Sequence, residues 1–410
     1  MQKKLAIEGG EAVRKQPFPE WPIITEEMKR ELLDTFSSGK WSVAAGVKTA
    51  AFEQIFAEAH QAKYCTALTN GTHTLLTALL ACGIEAGQEV IVPSWTFFST
   101  AQAVVAANAV PIFADIDPKT LTVESRHVEM LINENTFGMI PVHFAGQPAD
   151  MNRLMEIAAA HDLVCIEDCA QAHNAKYRGR YVGTLGDAGS FSFQMSKNMT
   201  AGEGGALVTN DSKIHEKIFS CYNLGRSKSH YMQYIHEFVG SNYRMTEFQS
   251  SILLHSVASL SEFSICRNVN ALYLDSLLTD IDGIEIFQAS SDVQHGRHLY
   301  PFRFKKESFQ RGDKRLFIKA LVCEGIPATS GYPLGVHEQP VFQNMNFGPY
   351  TGYKTAGRPL SYKDLYLPET ARAVDEVCFL PQQVLLGNRS DMEDISRAVE
   401  KVAAFFRASK

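Results

Sequence analysis

Ser190-Phe191-Ser192-Phe193-Gln194-Met195-Ser196-Lys197-Asn198-Met199-Thr200-Ala201-Gly202-Glu203-Gly204-Gly205 is the stretch on which the fold and the chemistry turn. It opens in an apolar run, Gly189 to Phe193, that reads as a strand buried on both faces. A lone lysine follows, and the stretch closes in a glycine-rich turn. Glu203 is the only acid nearby, and no excess of positive charge surrounds Lys197. Desolvation disfavours an ammonium ion, so a lysine held in a partly dry pocket falls below its usual pKa of about 10.4. The neutral amine is then a nucleophile toward a carbonyl carbon. Most lysines are solvated surface residues. The buried strand before this one and the glycines after it argue otherwise here.

Outward from that stretch, similar apolar runs recur. They are Glu89 to Pro93, Val110 to Asp115, Gly138 to Val142, Leu163 to Glu167 and Gly205 to Thr209. Helical spacing separates several of them, at Thr72 to Cys82, Ser99 to Ala107 and Ala149 to His161. Strands apolar throughout and separated by helices predict an α/β fold with a mostly parallel sheet covered on both faces. The last two runs lack a helix between them, which predicts a local exception to the parallel order. Beyond residue 255 the pattern changes to helices, with an extended segment at Leu299 to Phe304 and a terminal helix over Asp391 to Phe406. This predicts a large domain over 1–255 and a smaller C-terminal α/β domain over 256–410. Phe342 to Lys363, rich in Gly, Pro, Tyr and Asn, reads as an irregular excursion.

Ligands of open α/β sheets bind beyond the carboxyl ends of the strands, so the residues after each run carry the functional reading. Asn70-Gly71-Thr72 opens a helix, whose free N–H groups and positive dipole end suit a phosphate. An N-capped helix after any turn would look the same. Ser94-Trp95-Thr96-Phe97 follows a strand, and an aromatic there could cover a flat cofactor ring or belong to the core. Asp168 ends a buried strand, where a carboxylate needs a cation, a donor or a helix to cap. With Lys197 these pieces fit pyridoxal 5′-phosphate. That cofactor needs a lysine for its aldehyde, an acid for its ring nitrogen, and a helix N-terminus with hydroxyls for its phosphate.

The same motifs resemble the DegT/StrS family of sugar and cyclitol aminotransferases, of fold type I (aspartate aminotransferase-like). The resemblance runs nearly end to end, through Gly39-Lys40-Trp41, Asn70-Gly71-Thr72, Pro93 to Phe97, Glu167 to His173, the Lys197 loop and Asn242 to Glu247. It implies that Lys197 carries the cofactor as an imine and that Asp168 pairs with the ring nitrogen. It implies Gln171 near the ring hydroxyl, Gly71, Thr72 and Ser192 on the phosphate, and Phe97, with Trp95 as its rival, on the ring face. It also implies that Asn242 reaches the phosphate of a neighbouring subunit, hence a homodimer with shared sites. Gln194 stands where many nucleotide-sugar members carry His. That departure resembles the branch acting on free cyclitols such as scyllo-inosose and 2-deoxy-scyllo-inosose. Gln382-Gln383 departs likewise from a His-bearing motif.

The expected activity is transfer of an amino group from L-glutamine or L-glutamate to a keto-cyclitol or keto-sugar. Alternatives are a nucleotide-linked keto-sugar acceptor, a sugar dehydratase, or a non-catalytic regulator of the same fold. Dehydratases of the family replace the lysine or add an iron–sulfur site, and the cysteines here lack cluster spacing. His143, Gln194, Tyr332 and His337 are candidate substrate contacts. Arg226 and Arg244 could bind the donor carboxylate or form structural pairs. No His/Cys/Asp cluster has metal-ligand spacing, so no metal is expected. With 39 Lys+Arg against 45 Asp+Glu the net charge is -6, which gives no basic face for nucleic acid. No apolar run is long enough for a membrane span. Glu8 and Glu11 interrupt any signal-like start, and eight sparse cysteines suit a reducing compartment. A cytoplasmic protein is expected.

Overall fold

The computed structural model describes residues 4–227, 235–287, 289–310, 312–356 and 360–407. Helices Glu26–Ser38 (α1) and Lys48–His60 (α2) lead into Tyr64–Leu68 (β1). The chain then alternates through Gly71–Cys82 (α3), Glu89–Pro93 (β2), Ser99–Ala106 (α4), Val110–Ala114 (β3), Ser125–Leu131 (α5), Thr136–Met139 (β4), Met151–His161 (α6) and Val164–Asp168 (β5). A short hairpin, Lys176–Tyr177 (β6) and Arg180–Tyr181 (β7), precedes Ala188–Ser192 (β8) and Gly205–Thr209 (β9). Helices Ser212–Tyr222 (α7) and Glu247–Leu278 (α8) follow. The C-terminal part holds Ile284–Ile286 (β10), Val293–Gln294 (β11), Leu299–Phe304 (β12), Lys314–Cys323 (α9), Pro340–Gln343 (α10), Pro368–Glu376 (α11), Val377–Pro381 (β13) and Arg389–Arg407 (α12).

Seven strands form the main sheet in the order β1-β9-β8-β5-β4-β2-β3. From β8 to β3 every pairing is parallel, whereas β9 runs antiparallel to both β8 and β1. A parallel partner needs a long crossover, usually a helix. The β8–β9 connection, Phe193 to Gly204, has none and reverses direction, as the sequence pattern predicts. β2, β3, β8 and β9 are buried at every position. One face packs on Phe52, Phe56, Leu154 and Ile157 from α2 and α6. The other packs on Leu75, Leu79, Val104 and Ile218 from α3, α4 and α7. All six apolar runs named from sequence are strands, and β1 is an addition to them.

The second sheet, β10-β12-β13, is antiparallel. It packs Phe302 and Phe304 against Phe317 of α9 and Val399 and Phe406 of α12. Helix α8 serves both cores, with Leu253 and Leu260 in one and Ala271, Leu274 and Leu278 in the other. The division expected between 255 and 256 falls inside this helix. Residues 357–359 of the expected irregular excursion lie outside the described residues. Among the described residues, no helix is long and apolar enough to cross a membrane.

Helix starts follow local side-chain chemistry. Thr25 Oγ1 accepts from Met28 N–H at 3.2 Å, and Asn70 Oδ1 accepts from His73 N–H at 2.8 Å. Asp211 caps α7 in the same way. Each such cap stabilises its helix by about 1 kcal/mol. The Asn70 cap matters most, because it fixes where α3 opens toward the carboxyl ends of β5 and β8.

Candidate active site

A cavity of about 940 Å³ lies beyond those strand ends. That is the size of a pocket holding a drug-sized ligand. Lys197 lines it from the loop after β8. Protein crowded around its amine pushes the pKa down to about 8, and the charge of Asp168 opposes that fall. As a residue Lys197 keeps some exposure, all of it compatible with an amine that looks into the cavity.

Asp168 is 5% exposed, at the end of β5. Its Oδ2 accepts from Thr100 Oγ1 at 2.9 Å and its Oδ1 from Ala170 N–H at 3.1 Å. Burial raises its pKa, while those two donors, Lys197 and His143 pull it back. No helix follows Asp168; the chain turns toward β6. The capping alternative therefore does not apply, and the carboxylate is left facing the cavity with Lys197.

Glu167, the preceding residue, points the other way. Its carboxylate accepts N–H groups from Gly183, Leu185 and Gly186 at 2.7–2.8 Å. His143 Nδ1 accepts from Ala149 N–H at 3.1 Å, so the ring proton sits on Nε2, which donates to Glu167 Oε2 at 2.9 Å. His143 thus has both nitrogens occupied inside the fold, is fully buried and is not part of the cavity wall. His143, Glu167 and Cys169 bring possible metal-ligand atoms within 4.8 Å of one another. The carboxylate is already saturated, and burial pushes the Cys169 thiol well up, which makes this trio a structural buttress for Asp168.

The turn before α3 meets the end of β8. A Cβ on Gly71 would stand 2.7 Å from Ser192 Cβ, an approach that only glycine permits. Thr72 Oγ1 lies 2.8 Å from Ser99 Oγ. Gly71, Thr72, Ser99 and Ser192 therefore surround the open N-terminus of α3 with hydroxyls and free N–H groups on the cavity wall.

Of the two aromatic rivals, Phe97 lines the cavity and is 56% exposed, whereas Trp95 is 1% exposed. Trp95 packs against Phe144 and Phe379 at ring distances of 4.9 and 5.7 Å, so it is core. Gln171 Oε1 accepts from Ala145 N–H at 2.7 Å, and its Nε2 donates to Tyr332 Oη at 3.3 Å. Gln171, Tyr332 and Gln194 all line the cavity. His337 does not; its Nδ1 lies 2.5 Å from Ser94 Oγ, under the strand end. Gln382 is buried and accepts from Arg267 Nε at 2.8 Å. Asn242 is exposed and outside the chain's own cavity. Arg244 donates to Asn223 Oδ1 at 2.8 Å, and neither it nor Arg226 lines the cavity. His298, just ahead of β12, lines it and escaped the sequence reading.

The overall fold recurs in solved structures. One is 3-amino-5-hydroxybenzoic acid synthase, with a TM-score of 0.85 and 30% identity over 95% of this chain and 100% of that one. Another is an aminotransferase from Psychrobacter cryohalolentis, with a TM-score of 0.88 and 28% identity over 96% and 100%. The profile of the DegT/DnrJ/EryC1/StrS aminotransferase family matches residues 22–400. The chain belongs to that family. Relatives of this DegT/StrS protein include L-glutamine:2-deoxy-scyllo-inosose aminotransferase of Streptomyces kanamyceticus, 35% identical over 97% of this chain and 96% of the relative. The same-named enzyme of Streptomyces fradiae is 34% identical, over 98% of each. The DegT/StrS fold is that of the fold type I aminotransferases. This member is an aminotransferase, and its cofactor is pyridoxal 5′-phosphate. The site fits that group: it offers a buried acid, a lysine of lowered pKa and a cradle that a Cβ at Gly71 would fill.

Proposed function

We propose that this chain moves the amino group of L-glutamine or L-glutamate to a keto-cyclitol of the scyllo-inosose kind, in two half-reactions at one site, within aminocyclitol or antibiotic biosynthesis. One observation carries the choice of acceptor. Among the described residues lining the cavity, Lys197 is the only lysine or arginine. A nucleotide-linked sugar brings a diphosphate that calls for cations. A free cyclitol brings hydroxyls, which suit the amides, hydroxyls and neutral rings found there. Relatives named for 2-deoxy-scyllo-inosose support this reading, as does one from Streptoalloteichus tenebrarius, 37% identical, whose proposed acceptor is 3-amino-2,3-dideoxy-scyllo-inosose.

In this reading Lys197 binds the cofactor's aldehyde through Nζ. Asp168 keeps the ring nitrogen protonated, Gly71, Thr72 and Ser192 take the phosphate, Phe97 covers the ring and Gln171 lies by its hydroxyl. When bound, pyridoxal phosphate supplies an aldehyde that takes up an amino group and a ring that accepts the electron pair released at the donor's α-carbon. With the cofactor bound, Lys197 Nζ would move the proton from the donor's α-carbon to the cofactor in one half-reaction, and from the cofactor to the acceptor's carbon in the other. Its depressed pKa lets it act as a base near neutral pH. Tyr332 and Gln194 lie at the substrate side.

The active unit in this reading is a homodimer. Asn242 stands exposed, away from the chain's own cavity. In a dimer it would reach the cofactor phosphate of the neighbouring subunit. Ile24, Leu33, Phe36 and Val47, each more than 60% exposed, give that partner an apolar surface. All eight cysteines are free, which supports a cytoplasmic setting.

The test is a steady-state assay with L-glutamine, pyridoxal phosphate and scyllo-inosose or its 2-deoxy form. Release of 2-oxo acid with formation of an aminocyclitol supports the reading. Turnover of a nucleotide-linked keto-sugar at far higher kcat/KM would overturn it.

A further inference from the structure

His298 offers an unclaimed acceptor atom on the cavity wall. Its backbone N–H donates to Ala145 O at 2.9 Å, which fixes the residue against the loop after β4. Only 6% of it is exposed, and it lines the cavity.

The tautomer follows from its neighbours. Asn198 Nδ2 donates to Gly296 O at 2.6 Å. This orients the amide so that Oδ1 faces the histidine, at 3.3 Å from Nδ1. A carbonyl oxygen cannot donate, so Nδ1 carries the proton and Nε2 holds a lone pair. Burial, together with the charges of Lys197, His173 and Arg267, pushes the ring's pKa well down. The ring is therefore neutral at neutral pH. Among the described residues Nε2 has no hydrogen-bond partner.

An acceptor left unpaired in a site closed by substrate costs about 1–3 kcal/mol. The substrate must then bring a donor. A carboxylate would be repelled by the lone pair, whereas a keto-cyclitol presents hydroxyl donors around most of its ring. We infer that His298 is the positioning and specificity residue for the acceptor, its Nε2 taking a hydrogen bond from one ring hydroxyl. This rests on the keto-cyclitol reading above and adds to it a residue and an atom. A site built to bond a hydroxyl also discriminates against analogues that lack it.

The test separates the two half-reactions in single-turnover experiments on the holoenzyme. In His298→Phe, which keeps a flat ring without Nε2, the half-reaction with L-glutamine should stay within about twofold. The acceptor concentration giving half-maximal rate should rise roughly 10- to 100-fold, while the limiting rate changes less. His298→Gln, which can still accept, should recover most of the loss. It also serves if the phenylalanine variant fails to retain the cofactor's visible band. Monodeoxy scyllo-inososes add an independent readout: one of them, lacking the bonded hydroxyl, should react alike with wild type and variant. Equal slowing of both half-reactions, or an unchanged acceptor dependence in a variant that holds its cofactor, overturns the proposal. If the wild type aminates no keto-cyclitol but does aminate another polyhydroxylated ketone, the keto-cyclitol reading falls. The same comparison on that ketone then decides the role of His298.

Discussion

The pH at which the apoenzyme captures its cofactor should sit far below that of an ordinary amine. Only neutral Lys197 can attack the aldehyde. With a pKa of about 8, about one molecule in eleven is neutral at pH 7. A free lysine near 10.4 is neutral in about one in 2,500. Capture at pH 7 should thus exceed that by a model amine roughly 200-fold on this ground alone. The rate should climb with pH and level off just above 8. Asp168 supplies the sign test. Its negative charge favours the ammonium form and raises the Lys197 pKa, so Asp168→Asn should move the midpoint down. The assay is stopped-flow absorbance of apoenzyme with excess pyridoxal phosphate, divided at each pH by the rate of N-acetyl-lysine amide to cancel the cofactor's own titration. A wild-type midpoint near 10, or an upward move in Asp168→Asn, would refute the desolvated-lysine account.

Three further outcomes are expected. In Gly71→Ala the new Cβ stands 2.7 Å from Ser192 Cβ, against about 3.5 Å for an ordinary carbon contact. Overpacking of that kind costs about 1–3 kcal/mol, so cofactor titration of the apoenzyme should show roughly 5- to 150-fold weaker binding. Adding Ser192→Gly should relieve the clash itself. Glu167→Gln replaces an acceptor of three backbone N–H groups and the His143 ring with a group that must point a donor at donors. Urea unfolding should register a loss of about 2–4 kcal/mol. If Asn242 completes the partner's site, mixing inactive Lys197→Ala with Asn242→Ala should restore about a quarter of wild-type activity by statistical pairing in a dimer. No recovery after subunit exchange would remove the shared-site proposal.

The sheet was legible where burial on both faces leaves a strand no polar positions. Val90-Ile91-Val92 and Val110 to Ala114 are examples, buried throughout. Strand β1 escaped because Tyr64-Cys65-Thr66-Ala67-Leu68 carries a threonine and a half-buried tyrosine, and it is held in the sheet by its antiparallel pairing with β9. The antiparallel step itself was legible, because a missing crossover helix is a local fact. The Lys197 loop, Asp168 and the α3 turn were readable for the same reason: each sits directly after its own strand. Spacing from the strand favours Phe97 over Trp95; what the sequence could not show is that Trp95 meets Phe144 and Phe379 across the fold. His143 and His337 are candidates for substrate contact by sequence, with a structural role the open alternative for His143; their partners Glu167 and Ser94 hold both inside. The missed His298 reaches the cavity through β12, from 101 positions beyond Lys197 in the chain. Its only local signal is its place immediately before a readable strand.

The covalent bond between Lys197 Nζ and the cofactor is tested most directly by borohydride reduction of the holoenzyme followed by peptide mapping. The predicted result is a single pyridoxyl label on Lys197, in the peptide between Phe193 and Gly204. A label on another lysine, or a reduced protein that carries none, would contradict the account.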